Sequence, residues 1–440
     1  MNIQTTESLN SLQPSQYSGK SLGLKQSLIS RHAMTVLTGL KHKGYDSYLV
    51  GGCVRDLLLG LEPKDFDVST NASPEQVRRV FRNARVIGRR FKIVHVRFGR
   101  EVIEVATYRG APASSHQDES THRVGEEGRL LADNIYGTRD EDAIRRDLSV
   151  NALYYDPGSD EVLDYHGGLA DIKQGLLRII GDPSERYRED PVRMLRVVRF
   201  ASKLGFEIDP SASLALDQHV DLLTNIPPAR LFDEVLKLFH SGSAVTTFEK
   251  LRQHGLFEYL FPATDQLLNS EEEGYPRTFL PLALNNTDKR IQQGKPVIPA
   301  FLYSVLLWEP FRQYKMAAME QGISEYDSIH QAADQAIVEQ LSTVAIPRRF
   351  TAQMREIWVM QYFFDQRKSR HIARLLENRK FRAGYDFLLL RESVGQATRE
   401  TAEWWTRIQD VDENERIKMI RSLPGTANKR RRRKKKSSRQ

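Results

Sequence analysis

Two hydrophobic periods alternate along the first 180 residues, and one of them takes over afterwards. From Leu28 to Lys43 apolar residues recur at helical spacing, with Met34, Leu37 and Leu40 on one side and Gly44 placed to stop the helix. Tyr48-Leu49-Val50 predicts a short strand running into Gly51-Gly52, then a short helix over Val54–Leu59 ended by Gly60. Lys64–Ser69 reads as the next strand. Ser73-Pro74-Glu75-Gln76 supplies an N-cap, a first-turn proline and a capping-box glutamine for a helix reaching about Arg82. Phe91–Phe98 and Val102–Tyr108 are β-rich runs joined at Gly99, which predicts a hairpin. The polar stretch 110–140 reads as a mobile loop, and short strands around Leu153–Tyr155 and Leu177–Ile180 complete the mixed part.

From about Tyr187 the helical period dominates almost to residue 420, with joints at Ile226-Pro227-Pro228, Ser241–Ser243, Glu271–Gly274 and Ile346-Pro347. No repeat of 20–50 residues interrupts it. The fold class is therefore α+β: an α/β head of roughly 150 residues, then an all-helical region, the chain splitting as its size demands. The longest nearly apolar stretch, Ile298–Trp308, is far shorter than the ~18–20 residues that span a bilayer. The polar N-terminus has no apolar core of a secretory signal. A single cysteine, Cys53, excludes an intrachain disulfide and a cysteine-rich zinc site, and predicts a reducing, cytoplasmic compartment.

Charge sharpens the picture. Lys and Arg number 65 against 57 Asp and Glu, a net +8. Lys429, Arg430, Arg431, Arg432, Arg433, Lys434, Lys435, Lys436 and Arg439 supply nine of the basic residues, and removing them leaves 56 against 57 acids. The positive excess thus sits in one short tail, which cannot fold on its own repelling charges and suits a polyanion, nucleic acid first.

Candidate chemistry centres on Leu49–Thr70. Residues two apart in a strand face the same way, so Asp65 and Asp67 are expected to project together. Paired carboxylates repel unless a cation lies between them, and hard oxygen ligands select magnesium or manganese. Taken alone, Asp-x-Asp is a weak signal that favours ordinary surface acids. Gly51-Gly52, between a strand and a helix, lets backbone N–H groups approach a phosphate, and Arg55 in the next turn could add charge. Glu104 interrupts an apolar strand and could complete a metal cage or pair with Arg97 across the hairpin. Arg145-Arg146-Asp147-Leu148-Ser149-Val150-Asn151 gathers groups that suit phosphate and ribose. Glu189-Asp190-Pro191 is expected to open a helix whose Arg193, Arg196 and Arg199 fan over one side, either as a solvated face or as a nucleotide or RNA contact.

Leu49–Thr70, Arg145–Leu153 and Arg188–Phe206 together resemble the class II nucleotidyltransferases, the family of tRNA CCA-adding enzymes and bacterial poly(A) polymerases. Arg85–Val96, Ile226–Phe232, Lys380–Arg391 and the basic tail look like the poly(A) polymerase branch. The resemblance covers roughly residues 30–410 and implies a catalytic nucleotidyltransferase head 29–180 with a mixed β-sheet, a helical neck 181–245 and a helical body and leg 246–424; residues 1–28 read as a flexible leader outside it, and 425–440 as a disordered basic tail. It implies transfer of AMP from ATP to RNA 3′ ends with release of pyrophosphate, using Mg2+ or Mn2+, in a monomer whose partners include RNA-decay or RNA-chaperone proteins. Asp65 and Asp67 would be the metal pair, with Asp147 in the active site and Glu104 a third carboxylate on the adjacent strand, and the sequence leaves open which of these two shares the metals. Gly51, Gly52, Arg55, Arg146, Asn151, Glu189, Asp190, Arg193, Arg196 and Arg199 would hold the nucleotide, and Lys429–Lys436 RNA. A CCA-adding activity shares all the head motifs, and a non-catalytic RNA binder on the same scaffold is the alternative outside the enzyme class.

Overall fold

The computed structural model describes residues 13–88, 92–110, 122–124, 130–133, 135–270 and 277–423. The expected RNA-binding tail and the Glu271–Gly274 joint lie outside the described residues. The chain forms two compact units, 1–222 and 223–440.

In the first unit the strands are β1 (Ser15–Ser18), β2 (Ser47–Val50), β3 (Asp67–Thr70), β4 (Ala84–Ile87), β5 (Ile93–Phe98), β6 (Glu101–Thr107), β7 (His122–Val124), β8 (Leu130–Asp133), β9 (Leu153–Asp156), β10 (Glu161–Asp164), β11 (Leu176–Leu177) and β12 (Glu207–Ile208). Its helices are α1 (Arg31–Lys41), α2 (Gly52–Leu58), α3 (Pro74–Val80), α4 (Arg139–Arg145), α5 (Gly168–Gln174), α6 (Pro183–Glu189), α7 (Val192–Leu204) and α8 (Pro210–Gln218). Eight strands make one mixed sheet in the order β1-β10-β9-β2-β3-β6-β5-β4, in which β3 and β6 run parallel and the other neighbours antiparallel.

Both faces of this sheet are covered, which explains runs such as Leu153-Tyr154-Tyr155 that do not alternate with polar residues. Leu49, Val68, Val105 and Tyr155 pack with Ala33, Val36, Leu37 and Leu40 of α1 on one face. Their neighbours Val50 and Tyr154 pack on the other face with Tyr108, Ala143 and Leu163. Helix α3 starts as its sequence dictates, with the reciprocal Ser73–Gln76 capping box formed and Pro74 in the first turn.

Several boundaries differ from the sequence pattern. Part of the expected leader is structured: Ser15–Ser18 adds an edge strand to β10, and Asp160 anchors it by accepting from Ser18 Oγ at 2.7 Å and Lys20 N at 3.1 Å. Pairing through backbone and one acid leaves no apolar signature to read. The strand predicted from Lys64 begins only at Asp67, because Lys64 and Asp65 form a bend ahead of it. Leu176–Leu177 does not join the large sheet but pairs in parallel with Glu207–Ile208.

The second unit is helical throughout its described residues: α9 (Pro228–Phe239), α10 (Ala244–Gln253), α11 (Leu256–Leu260), α12 (Pro262–Leu268), α13 (Phe279–Gln292), α14 (Pro299–Leu306), α15 (Trp308–Glu320), α16 (Glu325–Leu341), α17 (Arg348–Gln366), α18 (Ser369–Leu376), α19 (Phe381–Ser393), α20 (Arg399–Asp410) and α21 (Glu413–Arg421). The proline joints hold, since α9 opens at Pro228 and α17 directly after Pro347. No helix among the described residues is long and apolar enough to cross a membrane.

Candidate active site

The centre of the sheet brings three candidate groups to one level. Val50, the last residue of β2, pairs with Asp67, and Asp67 pairs in parallel register with Glu104 on β6. Register partners share a face of the sheet, so both carboxylates stand on the same side. The chain turns immediately after Val50 at Gly51, whose φ of 79° and ψ of −138° exclude an ordinary L-residue. A Cβ placed there would lie 3.6 Å from Asp67 Oδ2, so the bare glycine faces the carboxylate.

The electrostatics of Asp67 are those of a crowded acid. Burial, then Glu104 and Asp65, push its pKa up to about 6, against the pull of Arg146. Asp65 takes part although it lies in the bend before β3 and is exposed, so the pair does not share a strand as the two-residue spacing suggested. Glu104 is half-exposed and bonded to His95 Nε2 at 3.2 Å. Its partner across the hairpin is therefore His95, directly opposite in register, and not Arg97, which sits opposite Val102. Among the described residues no three Asp, Glu, His or Cys side chains converge into a ready-made cation cage. The mutual repulsion of Asp65, Asp67 and Glu104 is nevertheless the chemistry that a divalent ion relieves, and their oxygen donors fit a hard one.

Around this acidic end the basic residues are already engaged. Arg55 is 2% exposed. It donates to Asp56 Oδ1 at 2.9 Å through Nε, to Asn151 Oδ1 at 2.7 Å through Nη1, and lies 5.1 Å from the centre of the Phe200 ring. Its guanidinium also lies against the glycine turn, 3.5 Å from where a Cβ on Gly52 would stand. Its fork pins α2 to Asn151 beneath the glycine turn, and Asn151 is buried too. Arg146 donates to Tyr154 Oη and Asp142 Oδ2, both at 2.9 Å. Burial opposes the charge on Asp142, yet Arg146 and the Tyr154 hydroxyl hold its carboxyl below the usual range. Asp142 also accepts from Arg109 N at 3.1 Å and Ser69 Oγ at 3.4 Å, tying α4 to β3. The sequence reading missed this hub, although the Asp142–Arg146 spacing of one helical turn was there to find.

Asp147 stands in a different setting from the sheet acids. It accepts from Arg196 Nε at 2.7 Å and Nη2 at 2.6 Å, a two-point pairing. Burial raises its pKa, but Arg196 and Arg193 outweigh that and hold it at about 2. Of the two acids left open to complete the Asp65–Asp67 set, Glu104 has the place beside Asp67.

Glu189 ends α6 and Asp190 lies between the helices, so these acids do not open α7 as the pattern suggested. Glu189 accepts instead from Arg186 Nη1 at 2.7 Å and from Arg193. Arg186 also donates to the carbonyls of Arg145 at 2.7 Å and Arg146 at 2.6 Å, which fastens α6 to the Asp147 turn. Its pKa is brought down to about 10 by burial and by Arg193. Arg196 and Arg199 flank Phe200 at 5.8 and 4.8 Å from the ring centre. Cys53 is buried with its thiol pushed up to about 12 by burial, which leaves it inert.

Comparison with known proteins agrees with this geometry. Residues 47–178 match the poly(A) polymerase head domain, 205–268 the probable RNA and SrmB-binding site of polymerase A, and 321–439 the polymerase A arginine-rich C-terminus. The poly(A) polymerase I of Salmonella typhi is 44% identical over 398 residues, 90% of this chain and 86% of that protein. A CCA-adding enzyme of Bacillus licheniformis is 34% identical over 228 residues, 52% of this chain and 55% of that protein. The solved apo form II of a CCA-adding enzyme shares the fold with a TM-score of 0.59 at 17% identity, covering 93% of this chain and 91% of that one. With a likeness that spans 90% of the chain and a matching head, this chain belongs to the poly(A) polymerase family of nucleotidyltransferases.

Proposed function

We propose that this protein adds AMP from ATP to RNA 3′ ends without a template and releases pyrophosphate, promoting RNA turnover. The observation that carries the reading is the register of Val50, Asp67 and Glu104, which sets two carboxylates on one face beside the side-chain-free turn at Gly51. Asp65, Asp67 and Glu104 would hold divalent cations, magnesium or manganese, with substrate oxygens completing the shell. Bound there, such ions lower the pKa of an attacking hydroxyl and offset the charge of departing pyrophosphate.

The protein's own part is positioning and charge. Gly51 and Gly52 leave room for a phosphate against backbone. Arg55 and Asn151 keep that turn rigid from below. Arg146 favours the ionised carboxylate of Asp67 while fixed by Asp142 and Tyr154. Asp147 orients Arg196, and Glu189 orients Arg193, so that α7 presents guanidinium groups at set positions for the nucleotide. Asp190 and Arg199 belong to the same nucleotide-reading segment. The helical unit and the tail Lys429–Lys436 contact RNA phosphates. The protein would work as a monomer in the cytoplasm with RNA-decay or RNA-chaperone proteins, a setting suited to its single buried cysteine.

Poly(A) synthesis is favoured over CCA addition by the extent of likeness, which spans most of this chain in the first case and about half in the second. Purified protein given magnesium and either ATP or CTP, with a generic RNA or a tRNA lacking its 3′ end, tests the reading by product length on a gel. Long products from ATP on generic RNA are expected. Products confined to the tRNA and requiring CTP would establish CCA addition instead.

A further inference from the structure

The helical unit contains a groove that the reaction above does not use. It encloses a cavity of about 480 Å³ between α13, the turn leading into α14, and α19. Its floor is apolar, formed by Val297, Ile298, Phe301 and Leu389. Phe301 is partly exposed, and its position is fixed by an edge contact with Phe387, ring centres 6.0 Å apart. The rim carries Lys289, Arg290, Arg379, Lys380 and Arg382 against a single acid, Asp386. Asp386 is shared by Arg290 at 3.5 Å and Arg382 at 2.9 Å. Among the described residues Lys289, Arg379 and Lys380 have no carboxylate within ion-pair distance.

Three cations without carboxylate partners around an apolar hollow make a surface that gains from an anion carrying a flat apolar group. A nucleotide is such a molecule: its base can lie on an aromatic face while its phosphate meets ammonium or guanidinium. An acidic peptide would satisfy the rim but leave the Phe301 ring without a matching plane. We propose that this groove is a subsite for single-stranded RNA, in which one base stacks on Phe301 and the flanking phosphates lie against Lys289, Arg379 and Lys380. Every base has a π-face, so the subsite holds RNA with little sequence preference and separately from the groups that grip the 3′ end. This inference rests on RNA being the substrate.

The test uses the full chain and a fluorescein-labelled oligoadenylate, with affinity read by anisotropy over a series of KCl concentrations. The double variant Arg379→Ala, Lys380→Ala should flatten the slope of log affinity against log salt by about 1.4, from about 0.7 per lost single-strand phosphate contact. Phe301→Leu keeps the floor apolar and should weaken binding about five-fold or more, at an unchanged slope, through loss of stacking. Thermal unfolding and AMP incorporation by the parent protein are measured in parallel. If both variants unfold and bind RNA as the parent does while the parent adds AMP, the subsite is refuted and the enzymatic reading stands. If the variants lose only binding of poly-glutamate, the groove serves an acidic protein and the inference falls. If the parent neither binds RNA nor adds AMP, the enzymatic reading fails and takes this subsite with it.

Discussion

Asp67→Asn should stabilise the cation-free head, although it removes a residue proposed to hold the metal. The carboxyl of Asp67 is shifted from 3.8 up to about 6 by burial and by Glu104 and Asp65. A carboxyl that keeps its proton more firmly when folded weakens the fold as pH rises. The cost is absent below the unfolded pKa, grows between it and the folded pKa, and is complete above. About two pK units at 1.36 kcal/mol each would be roughly 3 kcal/mol, which partial exposure reduces to about 2 kcal/mol. Asparagine carries no such cost, so at about pH 8 its amides in β3 and β6 should exchange roughly 30-fold more slowly than the parent's, and at about pH 4 nearly at the same rate. Hydrogen–deuterium exchange read by mass spectrometry in a chelator measures this, because parent and variant share the intrinsic rate at each pH. Adding magnesium should slow exchange in the parent by ligand linkage and leave the variant little changed. A parent-to-variant ratio independent of pH, or a parent more protected than the variant at the higher pH, would refute the crowded-acid account.

Three further outcomes follow from the same geometry. Arg55→Ala leaves the part-buried Asp56 carboxylate unpaired and should cost about 3–5 kcal/mol in denaturant unfolding; an unchanged midpoint with only a raised KM for ATP would return Arg55 to the phosphate site. Gly51→Ala forces an L-residue into a conformation that costs about 1–3 kcal/mol and sets a methyl beside Asp67, so AMP incorporation should fall far more than RNA affinity; equal losses in both assays would mean a merely misfolded head. Deleting residues 429–440 should flatten the salt dependence of RNA binding while sparing turnover at saturating RNA, and an unaltered slope would show that the tail makes no phosphate contact.

Short-range patterns carried much of this protein in plain view. The Ser73 capping box, the Gly51 turn, the Gly99 hairpin and the change to helical periodicity near Tyr187 each depend on neighbours a few residues apart, and each appears in the structure near its predicted place. The acids Asp65, Asp67 and Glu104 were legible as unfavourable choices in and beside apolar strands. The edge strand Ser15–Ser18 was not, because its pairing with β10 rests on backbone groups that any polar residues supply.

Tertiary structure decided which charges are free and which are taken. Arg55 and Arg146 look in sequence like any arginine near a phosphate loop. Asn151 lies 96 residues from Arg55 and Tyr154 is brought over Arg146 by the sheet, and these contacts fix where both cations stand. Asp147 and Glu104 were equal candidates until Arg196, 49 residues from Asp147, claimed one and the parallel pairing of β3 with β6 placed the other beside Asp67. Residue types and local periods specify the available chemistry, but a charge acts according to the opposite charges and the water near it, and those neighbours are assembled only when distant segments fold together.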